Sequence, residues 1–155
     1  SGIDFDISKC LFIFSFNHEY KIDPILKNRL KIIKVNGYNN NEKKEIAKKF
    51  VIPEIINNIG FKKKEILFTD DSINCIIENT ISEPGIRELK RNIEHILQQI
   101  NTQRLFSKKD LKFFNVPFQI PNLKFPFEIT RDFIIKIIQY IPKEIKSGPP
   151  MHMYL

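Results

Sequence analysis

Glu83-Pro84-Gly85-Ile86-Arg87-Glu88-Leu89-Lys90-Arg91, running without a break into Asn92-Ile93-Glu94-His95-Ile96-Leu97-Gln98-Gln99-Ile100 and on to Leu105, carries the clearest structural signal in the chain. Ser82–Gly85 has turn composition. From Ile86 the apolar residues Ile86, Leu89, Ile93, Ile96, Leu97 and Ile100 recur at intervals of three and four, which lines them up on one face of a helix. An amphipathic helix of that length needs partners for its stripe, so a helical packing unit is expected around it.

Working outward, Asp70 or Asp71 is placed to cap a helix carrying Ile73, Ile76 and Ile77. Glu65–Phe68 reads as a short strand. Farther upstream, Asn40 or Asn41 caps a run with Ile46, Phe50 and Val51 at helical spacing. Pro53 kinks or restarts that helix, which continues through Ile55, Ile56 and Ile59 to a stop at Gly60. Downstream, residues 107–126 hold four aromatics and three prolines without a helical period and read as an ordered loop. Phe127–Ile129 is a candidate strand, Thr130 or Asp132 caps a last helix through Tyr140, and Lys146–Leu155 is a tail.

The N-terminal end differs in character. Ser1-Gly2 reads as a cloning remnant. Cys10–Phe16 is an unbroken apolar and aromatic run of the kind found in fully buried strands. Asp23-Pro24 opens a short helix, since Asp caps and Pro suits the first turn. Leu30–Val35 is a second β-type run closed by Asn36-Gly37. Two short strands cannot bury their own faces, so this piece reads as the end of a larger sheet. The expected fold class is α+β and mainly α: a strand-helix-strand terminus of an α/β core in residues 3–36, then a small helical subdomain with a short two-stranded sheet in 37–145, then a tail in 146–155.

Composition excludes several classes. The chain has 155 residues, 42% hydrophobic and 28% charged, which is globular. Its longest apolar stretches fall far short of the ~20 residues of a membrane-spanning helix. Asp4 and Asp6 stand where a signal peptide would be basic. Two cysteines, Cys10 and Cys75, both in apolar stretches, read as buried thiols of a reducing, intracellular compartment and suffice for neither a disulfide scaffold nor a cysteine-based metal site. The net charge is +7, but the basic residues are 20 Lys against 5 Arg beside 29 Ile and 14 Asn. That mixture is what AT-rich codon usage produces, so the charge by itself does not indicate a polyanionic partner, and each arginine stands out.

His18, His95 and His152 share no metal-ligand spacing. Asp70-Asp71 after the apolar Ile66–Phe68 mimics a Mg²⁺-binding strand end, although first-turn acids at a helix start explain the pair more simply. No G-x-x-x-x-G-K-[ST] occurs, so the chain carries no phosphate-cradling loop of that kind. Three polar residues are better placed. Asn17 ends an apolar run, where open α/β sheets place ligand-handling side chains. Arg29 ends the short helix opened by Asp23. Arg87 starts the long helix, near where a nucleotide's phosphates could meet a helix N-terminus.

In this order the residues resemble the AAA+ ATPase module of the Lon protease family. Leu11-Phe12-Ile13-Phe14-Ser15-Phe16-Asn17 is similar to its sensor-1 strand. Asp23-Pro24-Ile25-Leu26-Lys27-Asn28-Arg29 is similar to the Asp-Pro segment that ends in an arginine finger. Gly37-Tyr38, Glu42-Lys43, Ile46-Ala47 and Pro53 follow the entry into the small helical lid, and Glu83 to Arg91 resembles the sensor-2 box. Asn28 and Leu30 depart from the acid and Met that usually flank the finger, and Pro84 from the usual small residue.

The resemblance implies catalytic roles for Asn17, Arg29 and Arg87, and nucleotide contacts from Tyr38, Ile46, Ile86 and Arg87. It implies ATP or ADP with Mg²⁺ in a longer parent protein, identical subunits in a ring, most often a hexamer, and unfolded proteins as substrates of an ATP-dependent serine protease of the cytoplasm or mitochondrial matrix. The phosphate loop would lie upstream and a Ser-Lys peptidase downstream, so this chain alone is expected to be monomeric, inactive and without tightly bound nucleotide. The competing expectation is a docking or nucleic-acid-binding module, with DNA met by a face of Lys43, Lys44, Lys48 and Lys49, by Lys62–Lys64 and by Lys108-Lys109, interleaved with Phe50 and Phe61.

Overall fold

The stripe of the long helix becomes the centre of the folded chain. A computed structural model describes residues 2–142; the expected tail from Lys146, with His152, and the last residues of the 37–145 segment lie outside that range. The chain divides into two units, one ending at Val35 and one beginning at Asn36. Among the described residues, no helix is long and apolar enough to cross a membrane.

The first unit contains a 3₁₀ turn, Glu19–Lys21, and the four-residue helix α1, Pro24–Lys27. Asp23 caps α1 as expected, its Oδ1 accepting the N–H of Ile25 at 2.8 Å. The two expected strands are absent: Cys10–Phe16 and Leu30–Val35 form no ladder. Ile13 is 84% and Val35 90% exposed, and Cys10, expected to be buried, is exposed too. The reason is physical. Two isolated runs lack the neighbouring strands and covering helices that would bury both their faces.

The second unit is mainly helical. α2 (Asn40–Ile46), a π turn (Ala47–Val51) and α3 (Ile52–Ile59) form one continuous arm. Asn39, not Asn40 or Asn41, caps α2. Only Asn39 has a glutamate three residues on, so its Oδ1 takes the Glu42 N–H at 2.9 Å while Glu42 returns a bond to the Asn39 N–H at 2.8 Å. The π turn ends two residues before Pro53, which has no N–H to give the preceding turn. The widened turn shifts the helical phase, so Ala47 and Val51 are buried while Phe50, expected in the stripe, is exposed. Gly60 ends α3 with a φ of +89°, a left-handed cap that suits glycine.

β1 (Ile66–Phe68) pairs in parallel with β2 (Phe127–Ile129), Ile66 opposite Phe127 and Phe68 opposite Ile129. Each strand leads through a threonine cap into a helix. Thr69, rather than Asp70 or Asp71, caps α4 (Asp70–Glu78), and Thr130 caps α7 (Arg131–Ile137), which passes into a 3₁₀ turn through Tyr140. The two aspartates occupy the first turn of α4, where carboxylates favour the helix dipole. α4 and α7 pack side by side, and Arg131 of α7 reaches Asp71 at 3.3 Å and Glu78 at 2.8 Å on α4.

α5 (Arg87–Leu105) packs on α3 and α4, burying Leu89, Ile93, Ile96, Leu97 and Ile100 to 1% exposure or less. Gln103 extends that buried face with a polar group: its Nε2 donates to the Phe118 carbonyl at 2.8 Å and its Oε1 accepts the Ile120 N–H, which straps residues 118–120 onto the helix. Residues 107–126 are less loop-like than expected. They begin with α6 (Lys108–Phe113), fixed by a reciprocal Ser107–Asp110 capping box and too short, with only Leu111 buried, to show a period.

Candidate functional site

The start of α5 is built from two distant pieces of sequence. Glu83 lies just before it, and its Oε1 accepts the N–H groups of Glu88 at 2.8 Å and Leu89 at 3.2 Å. Those are free donors of the helix's first turn, and a carboxylate there also meets the positive end of the helix dipole. Phosphates meeting the helix N-terminus itself, as expected near Arg87, would therefore find these donors taken. What the helix start offers an anion is the Arg87 side chain, exposed at the first helical position and without an ion pair among the described residues.

The second piece is the entry to α2. The Tyr38 N–H donates to the Pro84 carbonyl at 2.8 Å. A Cβ at Gly37 would lie 2.8 Å from both the Cα and the carbonyl oxygen of Pro84, so this close approach needs glycine. Lys43, one turn into α2, donates from Nζ to the Glu83 carbonyl. Tyr38 is half exposed, whereas Ile46 and Ile86 are partly buried against the hydrophobic core. The structure thus brings the Tyr38 backbone to the turn carrying Ile86 and Arg87, with Ile46 on the α2 that begins there. Asn17 and Arg29 belong to the first unit. Asn17 is an exposed bend residue. Arg29 is exposed in the turn after α1, its N–H bonded to the Leu26 carbonyl at 2.9 Å.

Of the expected basic face, the four lysines between 43 and 49 are buried or paired with acids. Lys43 is buried, with 8% exposure. Lys44 and Lys48 both pair with Asp70, at 3.2 and 2.7 Å, and Lys49 pairs with Glu45 at 3.0 Å. The Lys48 hydrogen bond, followed by that of Lys44, holds the Asp70 carboxyl below its ordinary range. These acids offset the lysines of this arm, while Lys62–Lys64 and Lys108-Lys109 are exposed. The sequence reading places Lys43 in a basic face and Glu83 in the segment before the long helix, but does not give the bonds that tie α2 and the start of α5 through them. For Lys43 a signal was available: Lys43, Ala47 and Val51 recur every four residues, which puts Lys43 on the buried face.

Comparison with known proteins agrees with this architecture. The model of the Lon protease AAA+ ATPase lid domain matches residues 57–113, from late α3 through α6. A Lon protease homolog of Acanthamoeba polyphaga mimivirus is 45% identical over 108 residues, 70% of this chain and 11% of that protein. The Lon protease of Aquifex aeolicus is 34% identical over 149 residues, 94% of this chain and 17% of that protein. A mitochondrial Lon protease homolog of Scheffersomyces stipitis is 38% identical over 107 residues, 69% of this chain and 9% of that protein. The helical bundle with its two-stranded parallel sheet is the lid of an AAA+ ATPase. The chain belongs to the Lon protease family, and it spans less than a fifth of the length of these relatives.

Proposed function

We propose that this chain is a piece of a Lon-type ATP-dependent protease, in which residues 3–36 end the large α/β subdomain of the AAA+ module and residues 37–145 are its lid. ATP is the fuel, subunits assemble in a ring, and hydrolysis drives the unfolding and degradation of protein substrates in the cytoplasm or mitochondrial matrix. Asn17 orients the attacking water or senses the γ-phosphate. Arg29 reaches the nucleotide of the neighbouring subunit. Arg87 meets the phosphates of its own subunit and ties lid position to nucleotide state, while Tyr38, Ile46 and Ile86 line the adenine side.

The observation that carries this reading is Arg87: a planar, multidentate guanidinium, exposed and without an ion pair among the described residues, on a helix start bonded to the Tyr38 segment. Mg²⁺ would neutralise charge on the phosphates, and we assign no residue of this chain to it. Phosphoryl transfer depends mainly on positioned charge, so Arg87→Ala in the full-length protein is expected to lower the ATPase rate about 10²-fold, as loss of one positioned donor does. Steady-state ATPase assays check this, and an unchanged rate overturns the assignment. The 155-residue chain alone, which has no G-x-x-x-x-G-K-[ST] loop, is expected to release no phosphate from ATP. Turnover by this polypeptide would refute the division of labour proposed here.

A further inference from the structure

We propose that Lys43 and Glu83 are positioning residues that fix where Arg87 stands, forming a clasp between the entry of α2 and the start of α5. The proposal rests on the reading of Arg87 given above and adds how its place is set. Lys43 is the one charged side chain buried among the described residues. An ammonium withdrawn from water needs hydrogen-bond partners to offset its lost hydration, and a neutral backbone carbonyl, that of Glu83, receives the bond from Nζ. Methionine would fill the same space without that desolvation cost. What the lysine adds is direction, because it holds one particular carbonyl, 40 positions away in sequence.

Glu83 completes the link with its other end. Its backbone is held by α2 while its carboxylate holds the Glu88 and Leu89 N–H groups of α5. The neighbouring Pro84 carbonyl is held by the Tyr38 N–H, with Gly37 packed against it. The turn before Arg87 is therefore tied on both sides: backward to residues 37–43, forward to the first turn of α5. Arg87 lies between those ties. With Lys43 removed, the Glu83 carbonyl loses its donor, the cap on α5 loosens, and the base of the Arg87 side chain is free to shift. A displacement of about 1 Å at a reacting centre can cost as much as 10²-fold in rate.

The test uses the full-length protein and ATP, with Lys43→Met, Lys43→Arg, Glu83→Ala and Arg87→Ala, alone and combined. Lys43→Met and Glu83→Ala are each expected to lower kcat about tenfold, and Lys43→Arg, which keeps a donor, to recover most of the loss. Because both residues act through Arg87, Lys43→Met combined with Arg87→Ala should be no slower than Arg87→Ala alone. Multiplying losses, or a normal kcat for Lys43→Met, would overturn the proposal. Hydrogen–deuterium exchange across residues 83–89 of the same proteins separates this inference from the reading beneath it. Lys43→Met should speed exchange at Glu88 and Leu89, and unchanged exchange sinks the clasp whatever Arg87 does. If exchange quickens while Arg87→Ala leaves ATPase intact, the clasp is present but the phosphate-sensing role, and with it the positioning proposal, fails.

Discussion

Arg29→Ala in the full-length protein should leave ATP binding nearly unchanged and reduce hydrolysis about 10³–10⁵-fold, the range associated with arginine fingers in phosphoryl transfer and equivalent to about 4–7 kcal/mol of transition-state stabilisation. The local structure suits such a role. Asp23 caps α1 through the Ile25 N–H at 2.8 Å, Pro24 starts the helix, and the Arg29 N–H closes the following turn on the Leu26 carbonyl at 2.9 Å. That turn leaves the Arg29 side chain exposed, with no ion pair among the described residues. A guanidinium committed to an internal carboxylate would have to break that pair before reaching a neighbour's γ-phosphate. Arg29→Lys should restore little, because a point charge on a flexible stem does not reproduce the planar fork. Stopped-flow binding of a fluorescent ATP analogue, read beside phosphate release, separates the two effects. Normal turnover by Arg29→Ala would show that the finger lies elsewhere.

The fold was legible in the sequence where burial is settled within the lid itself. The period of Ile93, Ile96, Leu97 and Ile100, the stop at Gly60 and the strand Phe127–Ile129 all appear as read, since each depends on local backbone preference or on a stripe whose partners lie in the same unit. The caps at Asp23 and Thr130 appear as read, while those of α2 and α4 each lie one residue before the nearer candidate. A run such as Asn39-Asn40-Asn41 offers several equivalent acceptors, and the choice falls to whichever has a glutamate three positions on. The phase error at Phe50 has a similar origin, because the extra width of a π turn before Pro53 does not show in a fixed 3.6-residue period. Of the candidate site, Arg87 and Tyr38 were legible as types at positions. The Lys43–Glu83 bond was not, for it joins residues 40 apart and depends on the approach of the turn before α5 to α2.

The sharpest test of what a buried residue contributes compares two isoleucines that read alike in the sequence. Ile96→Ala should cost the 155-residue chain about 2–5 kcal/mol. Its side chain is fully enclosed in the core that α5 shares with α3 and α4, so truncation loses transfer free energy and leaves a cavity that close-packed neighbours fill only partly. Against the 5–15 kcal/mol typical of a whole domain, that loss should lower the urea midpoint of the lid substantially, or leave it largely unfolded at 37 °C. Ile13→Ala, the same chemical change in the apolar run Leu11–Phe14, should shift the midpoint by no more than the ±0.5 kcal/mol usual for surface positions, since Ile13 is 84% exposed. In the full-length protein the difference should vanish: if a larger sheet covers both faces of that run, Ile13→Ala there becomes a core truncation and costs about as much as Ile96→Ala. Equal, small effects of Ile13→Ala in both settings would mean that residues 11–16 are not a sheet strand in the parent protein, and Asn17 would then lose the strand end on which its proposed role depends.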